Sequence, residues 1–337
     1  MRVLVTGGAG YLGTHTCLSL ISAGHEVTVL DNFVNSSAEA VRRTSELART
    51  AIPVIEGDLL DPRALMKAMD ASQPDAVVHF AGLKAVGESN TEPLRYMTNN
   101  VTGTLQLLEA MEAADVRRII FSSSATVYGV TETVPTREDH ALSVTNPYGR
   151  TKLVIEDLLR DIAAADPRWS IGILRYFNPV GAHPSGMIGE DPTGTPNNLV
   201  PFVGQVAVGR HEAVSVFGGD YPTPDGTGIR DYLHVMDLAE GHVAALDWIT
   251  AHTGVDVWNL GTGTGYSVLD VIRMYESVSG HPVPFRMAAR RAGDVAVSYA
   301  DANKAAAELG WRAGRSLREM IEDHWRWQSA NPDGYER

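Results

Sequence analysis

The opening residues constrain the fold more than any other stretch. Val3-Leu4-Val5-Thr6 has strand character and runs without a break into Gly7-Gly8-Ala9-Gly10-Tyr11-Leu12-Gly13. The glycines recur as Gly-x-x-Gly-x-x-Gly. In that spacing Gly7 permits a tight turn, Gly10 lets backbone approach a pyrophosphate, and Gly13 lets a helix pack closely on the strand. A helix starting at Tyr11 and Leu12 adds amide donors and partial positive charge for the anion. A second apolar run, Glu26–Leu30, stops at Asp31. This is about 20 residues on, where a carboxylate binds the adenosine ribose and repels a 2′-phosphate. The pattern predicts a dinucleotide site that takes NAD in preference to NADP.

The rest of the first half repeats the unit. Arg2–Thr6, Glu26–Leu30, Pro53–Glu56, Ala76–Phe80, Arg118–Ser122 and Ile171–Tyr176 read as strands, and most are nearly continuous in apolar residues. Strands covered on both faces look like this. Tyr11–Ala23, Pro62–Met69, Val101–Ala114 and Pro147–Ala164 read as the intervening helices. The alternation predicts an α/β fold, a Rossmann-type doubly wound parallel sheet with right-handed crossovers. After Pro179 glycine and proline become dense, as in long ordered loops over a site. We expect a dinucleotide-binding domain over 1–178 and a smaller mixed α/β ligand-binding region over 179–337, with some crossover of chain between them. Asp237 with Glu240 reads as a capping box opening Leu238–Ile249, and Ser316 with Glu319 as one opening Leu317–Gln328.

Charge and composition narrow the function. Lys and Arg number 28 against 41 Asp and Glu, a formal net charge of −13. Such a surface repels phosphate backbones, so no nucleic-acid partner is expected. No stretch approaches the ~18 apolar residues of a membrane span, and the first residues are too short in apolar run for a secretory leader. With a single cysteine, Cys17, no disulfide can form within the chain, which suits a reducing compartment. A cytoplasmic protein is the expectation. The scattered histidines show no ligand spacing; His79, His183 and His234 read as structural, and no metal is predicted.

Two further clusters carry chemistry. Ile119-Ile120-Phe121 ends abruptly in Ser122-Ser123-Ser124, and ligands of such sheets bind at the carboxyl ends of strands. In Asn146-Pro147-Tyr148-Gly149-Arg150-Thr151-Lys152, Asn146 suits an N-cap and Pro147 the first helical position. Tyr148 and Lys152 then share one helix face. A Tyr four residues before a Lys is common in any amphipathic helix, so the pair has to be weighed physically. A free tyrosine titrates near pH 10, and acting as a base near pH 7 takes roughly 4 kcal/mol. A cation about 4–6 Å away supplies roughly 3–4 kcal/mol at an effective dielectric of ~20. Lys152 with an oxidised nicotinamide would suffice, and Ser124 would bridge a substrate hydroxyl and the phenol.

These residues resemble the extended branch of the short-chain dehydrogenase/reductase superfamily. His79-Phe80-Ala81-Gly82-Leu83-Lys84-Ala85-Val86-Gly87-Glu88-Ser89, the run from Phe121 to Gly129, Leu174–His183, Gly226–Asp237 and Arg290-Arg291-Ala292-Gly293-Asp294 are similar to UDP-galactose 4-epimerases. Matching segments span nearly the whole chain. The resemblance implies reversible epimerisation at C4 of UDP-glucose and UDP-galactose through a 4-keto sugar, with NAD bound throughout. It implies catalytic roles for Ser124, Tyr148 and Lys152. Cofactor contacts fall to Gly7, Gly10, Tyr11, Leu12, Gly13, Asp31, Asn32, Asn35, Ser36, Asp58, Leu59, Phe80, Ala81, Gly82, Lys84, Asn99, Ser122 and Phe177. Substrate contacts fall to Asn178, Asn198, Leu199, Phe217, Arg230, Arg291, Asp294 and Ser298. For either arginine, a structural ion pair with a neighbouring Asp is the alternative. A homodimer is implied, through Leu94–Ala114 and Pro147–Ala164 packed as a four-helix bundle. Ala125-Thr126 follows Ser124 where dehydratases of the superfamily carry an Asp-Glu pair. Ser298 stands where sugar-restricted family members have Tyr, which extends the expectation to UDP-GlcNAc and UDP-GalNAc unless Tyr299 fills the space.

Overall fold

The computed structural model describes residues 1–131, 133–291 and 293–335. In chain order its strands are β1 (Arg2–Thr6), β2 (Glu26–Asp31), β3 (Val54–Glu56), β4 (Ala76–His79), β5 (Arg118–Ser124), β6 (Ser170–Tyr176), β7 (Asn178–Val180), β8 (Val214–Phe217), β9 (Ile229–His234), β10 (Gly254–Leu260), β11 (Gly265–Ser267), β12 (Phe285–Ala288) and β13 (Val297–Ser298). The helices are α1 (Tyr11–Ser22), α2 (Ala38–Ala48), α3 (Pro62–Ser72), α4 (Val86–Thr91), α5 (Pro93–Tyr96), α6 (Gly103–Ala113), α7 (Pro147–Ala165), α8 (Leu199–Ala207), α9 (Val235–Ala251), α10 (Val268–Ser279), α11 (Asn303–Glu308) and α12 (Leu317–Ala330).

Seven parallel strands form the main sheet in the order β10-β6-β5-β4-β1-β2-β3. Alternate side chains of β1 serve opposite faces. Val3 and Val5 join Cys17, Leu20, Leu238 and Leu246 in the core under α1 and α9. Leu4 joins Leu65, Met69, Leu107, Ile155 and Leu159 under α3, α6 and α7. Each fully buried aliphatic chain of this kind contributes roughly 1.5–3 kcal/mol. The order of strands reverses between β1 and β4, and such a switch point opens a crevice beyond the carboxyl ends of the strands. The glycine turn lies there.

The second half does not stand apart from this sheet. β10 pairs with β6, with Val255 opposite Ile171 and Trp258 opposite Leu174. A smaller sheet orders β11-β9-β13 with β7 also on β9, and β12 pairs with β8. Val200, Val203, Val214, Val271, Ile272, Met320 and Ile321 make a separate core around them.

Local chemistry accounts for most boundaries. Asn146 caps α7 by accepting from the Gly149 amide, and Ser316 with Glu319 forms a capping box on α12. Two expectations need correction. Asp237 does not cap α9: His234 does, accepting from the Met236 amide. The Asp237 carboxylate instead takes the Gly314 and Arg315 amides and pairs with the Arg315 guanidinium, a partner 78 residues away that local spacing cannot reveal. The helix expected from Val101 begins as a π-helical turn, Met97–Thr102, before α6. Insertions of this kind concentrate at functional sites.

Candidate active site

The glycine turn holds its shape for steric reasons. Gly7 has φ +69°, and a Cβ there would lie 2.7 Å from the Ala81 amide nitrogen. A Cβ on Gly13 would lie 2.6 Å from Gly8 Cα and closer still to the Gly7 carbonyl. One on Gly10 would meet only Gly7 O, at 3.3 Å, so Gly10 keeps its backbone bare toward the crevice. Gly10 also occupies the N-cap of α1, where no side chain caps the helix. The amides at this end are therefore available to an anion. The Asp31 carboxylate locks the turn to β2, taking the Ala9 amide at 2.9 Å on Oδ2 and the Phe33 amide and Ser36 hydroxyl on Oδ1. Asn32 donates to Asp58 at 2.7 Å. This bare-backbone cradle, ending in a carboxylate, fits a dinucleotide with a free ribose 2′-OH.

One cleft of about 460 Å³ runs from this cradle to the ends of β5 and β6. Gly7, Gly10, Tyr11, Leu12, Gly13, Asp31, Asn32, Asn35, Ser36, Asp58, Leu59, Phe80, Ala81, Gly82, Lys84, Asn99, Ser122, Tyr148, Lys152 and Phe177 line it. So do Ser124, Asn178, Asn198, Arg230, Asp294 and Ser298. Three expected residues lie elsewhere. Leu199 packs against the second core. Arg291 is half-exposed and pairs with Asp294 at 3.1 Å, its guanidinium over the Phe217 ring at 4.7 Å. The ion pair left open by the sequence is thus present, at the rim.

The reactive groups meet at the middle of the cleft. The first turn of α7 presents Tyr148, and the end of β5 presents Ser124; both line the cleft, and the Ser124 hydroxyl accepts from the Thr126 amide and hydroxyl. Burial pushes the Tyr148 phenol up to about 12, with the nearby Ser124 hydroxyl acting in the opposite sense. Burial brings the Lys152 ammonium down to about 8, with Glu156 holding it up. Lys152 Nζ donates to the Ser122 carbonyl at 2.7 Å and stands 5.9 Å from the centre of the Tyr148 ring. Burial is the largest influence on both groups, and the ammonium is turned to a carbonyl.

Several cleft residues escaped the sequence reading. Glu190 is buried, and its Oε1 accepts from Lys84 Nζ and from Asn198 Nδ2, both at 3.1 Å. It thereby ties a residue expected on the cofactor to one expected on the substrate. Its partner Lys84 is 106 residues away, and no periodicity marks the Gly- and Pro-rich loop that carries it. Tyr335 lines the same wall; its hydroxyl exchanges hydrogen bonds with the Gly189 backbone, and its amide donates to Asp191. Tyr176 adds a phenol hydrogen-bonded to His242. A tyrosine inside a buried strand gives no sequence cue beyond its polar tip.

Residues 3–261 match the NAD dependent epimerase/dehydratase family. The UDP-glucose 4-epimerase of Bacillus subtilis (strain 168) is 59% identical over 335 residues, covering 99% of each chain. The chain belongs to the UDP-glucose 4-epimerase family. The crystal structure of the Bifidobacterium longum UDP-glucose 4-epimerase in complex with NAD+ and UDP superposes on this epimerase with a TM-score of 0.97, at 50% identity, covering 99% of this chain and all of that one. The UDP-Glc/GlcNAc 4-epimerase of Campylobacter jejuni aligns with a TM-score of 0.84 at 36% identity, over 97% of this chain and 99% of that one. Ser298 lines the epimerase cleft, as do Gly293, Asp294 and Val295. Tyr299 does not fill the space. Its ring lies 3.4 Å from where a Gly265 Cβ would stand, and its carbonyl takes the Thr136 amide.

Proposed function

We propose that this epimerase interconverts UDP-glucose and UDP-galactose at C4, with Tyr148 as the group that takes and returns the 4-OH proton. The observation that carries the assignment is the meeting of Ser124 and Tyr148 above the bare-glycine cradle, with Lys152 one helical turn on. The cradle at Gly7, Gly10 and Gly13, with Asp31, Asn32, Asp58, Phe80, Lys84 and Asn99, would hold NAD. When bound, NAD+ would exchange the two electrons at C4 and place a positive charge near the phenol.

The chain's own residues then divide the work. Ser124 aligns the 4-OH with Tyr148 Oη, so that one proton moves along a short hydrogen bond. Bringing a phenol from about 12 to work near pH 7 takes roughly 7 kcal/mol. One cation at 4–6 Å supplies about half of that, so Lys152 needs the cofactor's charge beside it. The two epimers differ in which face of C4 bears hydrogen, so one phenol has to serve both faces of the ring. The pocket must anchor the nucleotide while freeing the sugar. Asn178, Asn198 and Arg230 would anchor the UDP, with Leu199 contributing through the uncapped start of α8. Arg291, Asp294 and Phe217 would close over it, in keeping with a cofactor half in 1–178 and a substrate half in 179–337.

We read the sugar end as wide enough for N-acetylated UDP-hexoses, because Ser298 and Gly293 line it and Tyr299 is turned away. We also read the enzyme as a homodimer. Leu94 on α5 is 81% exposed, and Leu105 on α6 and Val154 on α7 are also exposed; a second copy would cover them in a four-helix bundle. Leu94→Glu combined with Leu105→Glu should leave a monomer by light scattering. The single, buried Cys17 favours a cytoplasmic setting. Purified protein given UDP-galactose without added NAD should form UDP-glucose, followed by product chromatography; absence of either epimer's formation refutes the assignment.

A further inference from the structure

Behind the reactive groups lies a buried carboxylate that the proton chemistry above does not use. Glu156 is one turn beyond Lys152 on α7, and its side chain is fully buried. Arg175 of β6, also buried, grips it with Nε to Oε1 at 3.0 Å and Nη2 to Oε2 at 2.6 Å. Ser123 of β5 donates to the same carboxylate at 2.6 Å, and Arg160 reaches it from solvent at 2.9 Å. Arg175 is held in turn by the Tyr128 hydroxyl at 2.9 Å and the Glu138 carbonyl.

The arrangement has two rungs. Consecutive residues of β5 bond to consecutive turns of α7: the Ser122 carbonyl to Lys152, the Ser123 hydroxyl to Glu156. Positions i and i+4 share a helix face, so the two bonds fix both the rotation and the height of α7 against β5. Ser124, the next residue of the strand, and Tyr148, one turn earlier in the helix, are the pair that must face each other. We propose that Glu156 is a positioning residue: clamped by Arg175 and Ser123, it sets the register of α7 against β5 that aligns Tyr148 with Ser124 and seats Lys152. This rests on the epimerase reading of the site.

The groups around Lys152 are few. β4 supplies His79, which burial and the ammonium keep neutral, at about 3. β5 supplies the Ser122 carbonyl and the Phe121 ring; β6 supplies Arg175 beyond Glu156, and Tyr176 beside Tyr148; α7 supplies Tyr148 and Glu156. Glu156 favours the Lys152 ammonium, whereas burial and the Ser124 hydroxyl are what act on Tyr148.

Glu156→Gln should therefore lower kcat at least tenfold with KM for UDP-galactose and bound NAD content within twofold. The alkaline limb of its rate profile should move to lower pH, since loss of a nearby negative charge releases the Lys152 proton sooner, while the acid limb stays. Ser123→Ala removes one rung and leaves the ion pair, so it should fold normally even where Glu156→Gln does not, and should lower kcat several-fold at unchanged KM. Full turnover of folded Ser123→Ala, a loss in Glu156→Gln that is uniform in pH, or a loss confined to KM overturns the clamp. The wild type run beside them separates the two readings: an inactive wild type overturns the epimerase assignment, an active one with indifferent variants overturns only the clamp.

Discussion

Gly13 offers a sharp test of the cofactor cradle. Replacing it with Ala adds one methyl whose carbon would lie 2.6 Å from Gly8 Cα, with the Gly7 carbonyl nearer still. Ordinary contact between such atoms is about 3.5–4.0 Å, so the start of α1 must withdraw by about 1 Å. The neighbours are backbone atoms of the turn itself and cannot rotate aside as a side chain can. Overpacking of this type costs typically 1–3 kcal/mol. If the strain falls on the bound form, affinity for NAD drops by roughly 5- to 150-fold, at 1.4 kcal/mol per decade. Part of it will fall on the fold, because α1 packs on β1 and α9. The assay is NAD released by acid from purified protein, per chain, beside a melting curve of the same sample. The expected outcome is a reduced NAD content that recovers when NAD is added at high concentration, with a lower melting temperature. Full occupancy and wild-type melting would show that the helix does not need the glycine, and the steric account of the turn would fail.

Other predictions follow from the same geometry. Tyr148→Phe should reduce turnover by orders of magnitude while calorimetry shows UDP binding unchanged; near-normal turnover removes the phenol from its role. Ser298→Tyr should abolish turnover of UDP-GlcNAc and largely spare UDP-galactose, read by product chromatography; equal effects on both would mean that residue 298 does not set the width of the pocket. Burial opposes the charge of Glu156, but Arg175, Ser123 and Arg160 outweigh it and hold its carboxyl below the usual range. Its stabilisation is therefore present above about pH 4.3 and lost as pH falls through the folded-state value. At neutral pH, Glu156→Gln leaves Arg175 buried without a charge partner, which costs about 3–5 kcal/mol. The gap between the two melting temperatures should narrow as pH drops, and a gap independent of pH would refute the assignment of that charge.

The sheet was legible because its signals are local. Near-continuous apolar runs, the glycine spacing, Asn146-Pro147 and Ser316 with Glu319 each act within a few residues of themselves. The Ser124, Tyr148 and Lys152 cluster was legible for the same reason, since each residue sits at a strand end or within the first two turns of a helix. What escaped depends on distant partners. Asp237 has the right spacing for a cap but belongs to Arg315. Glu190 meets Lys84 across the cleft, and a carboxylate is not what one seeks in a pocket for a diphosphate. Burial of Tyr148, which a sequence does not display, adds to what Lys152 and an oxidised nicotinamide would have to supply.

The pairing of β10 with β6 has a practical consequence. A fragment cut after residue 178 would contain the whole glycine cradle and look like a complete cofactor module. Yet it would leave every residue of β6, all buried in the intact chain, with one side of its hydrogen-bonding edge bare and apolar. Edges of that kind recruit other chains. Such a fragment should come out of solution as aggregate, and a minimal soluble version of this protein has to carry α9 and β10 with it.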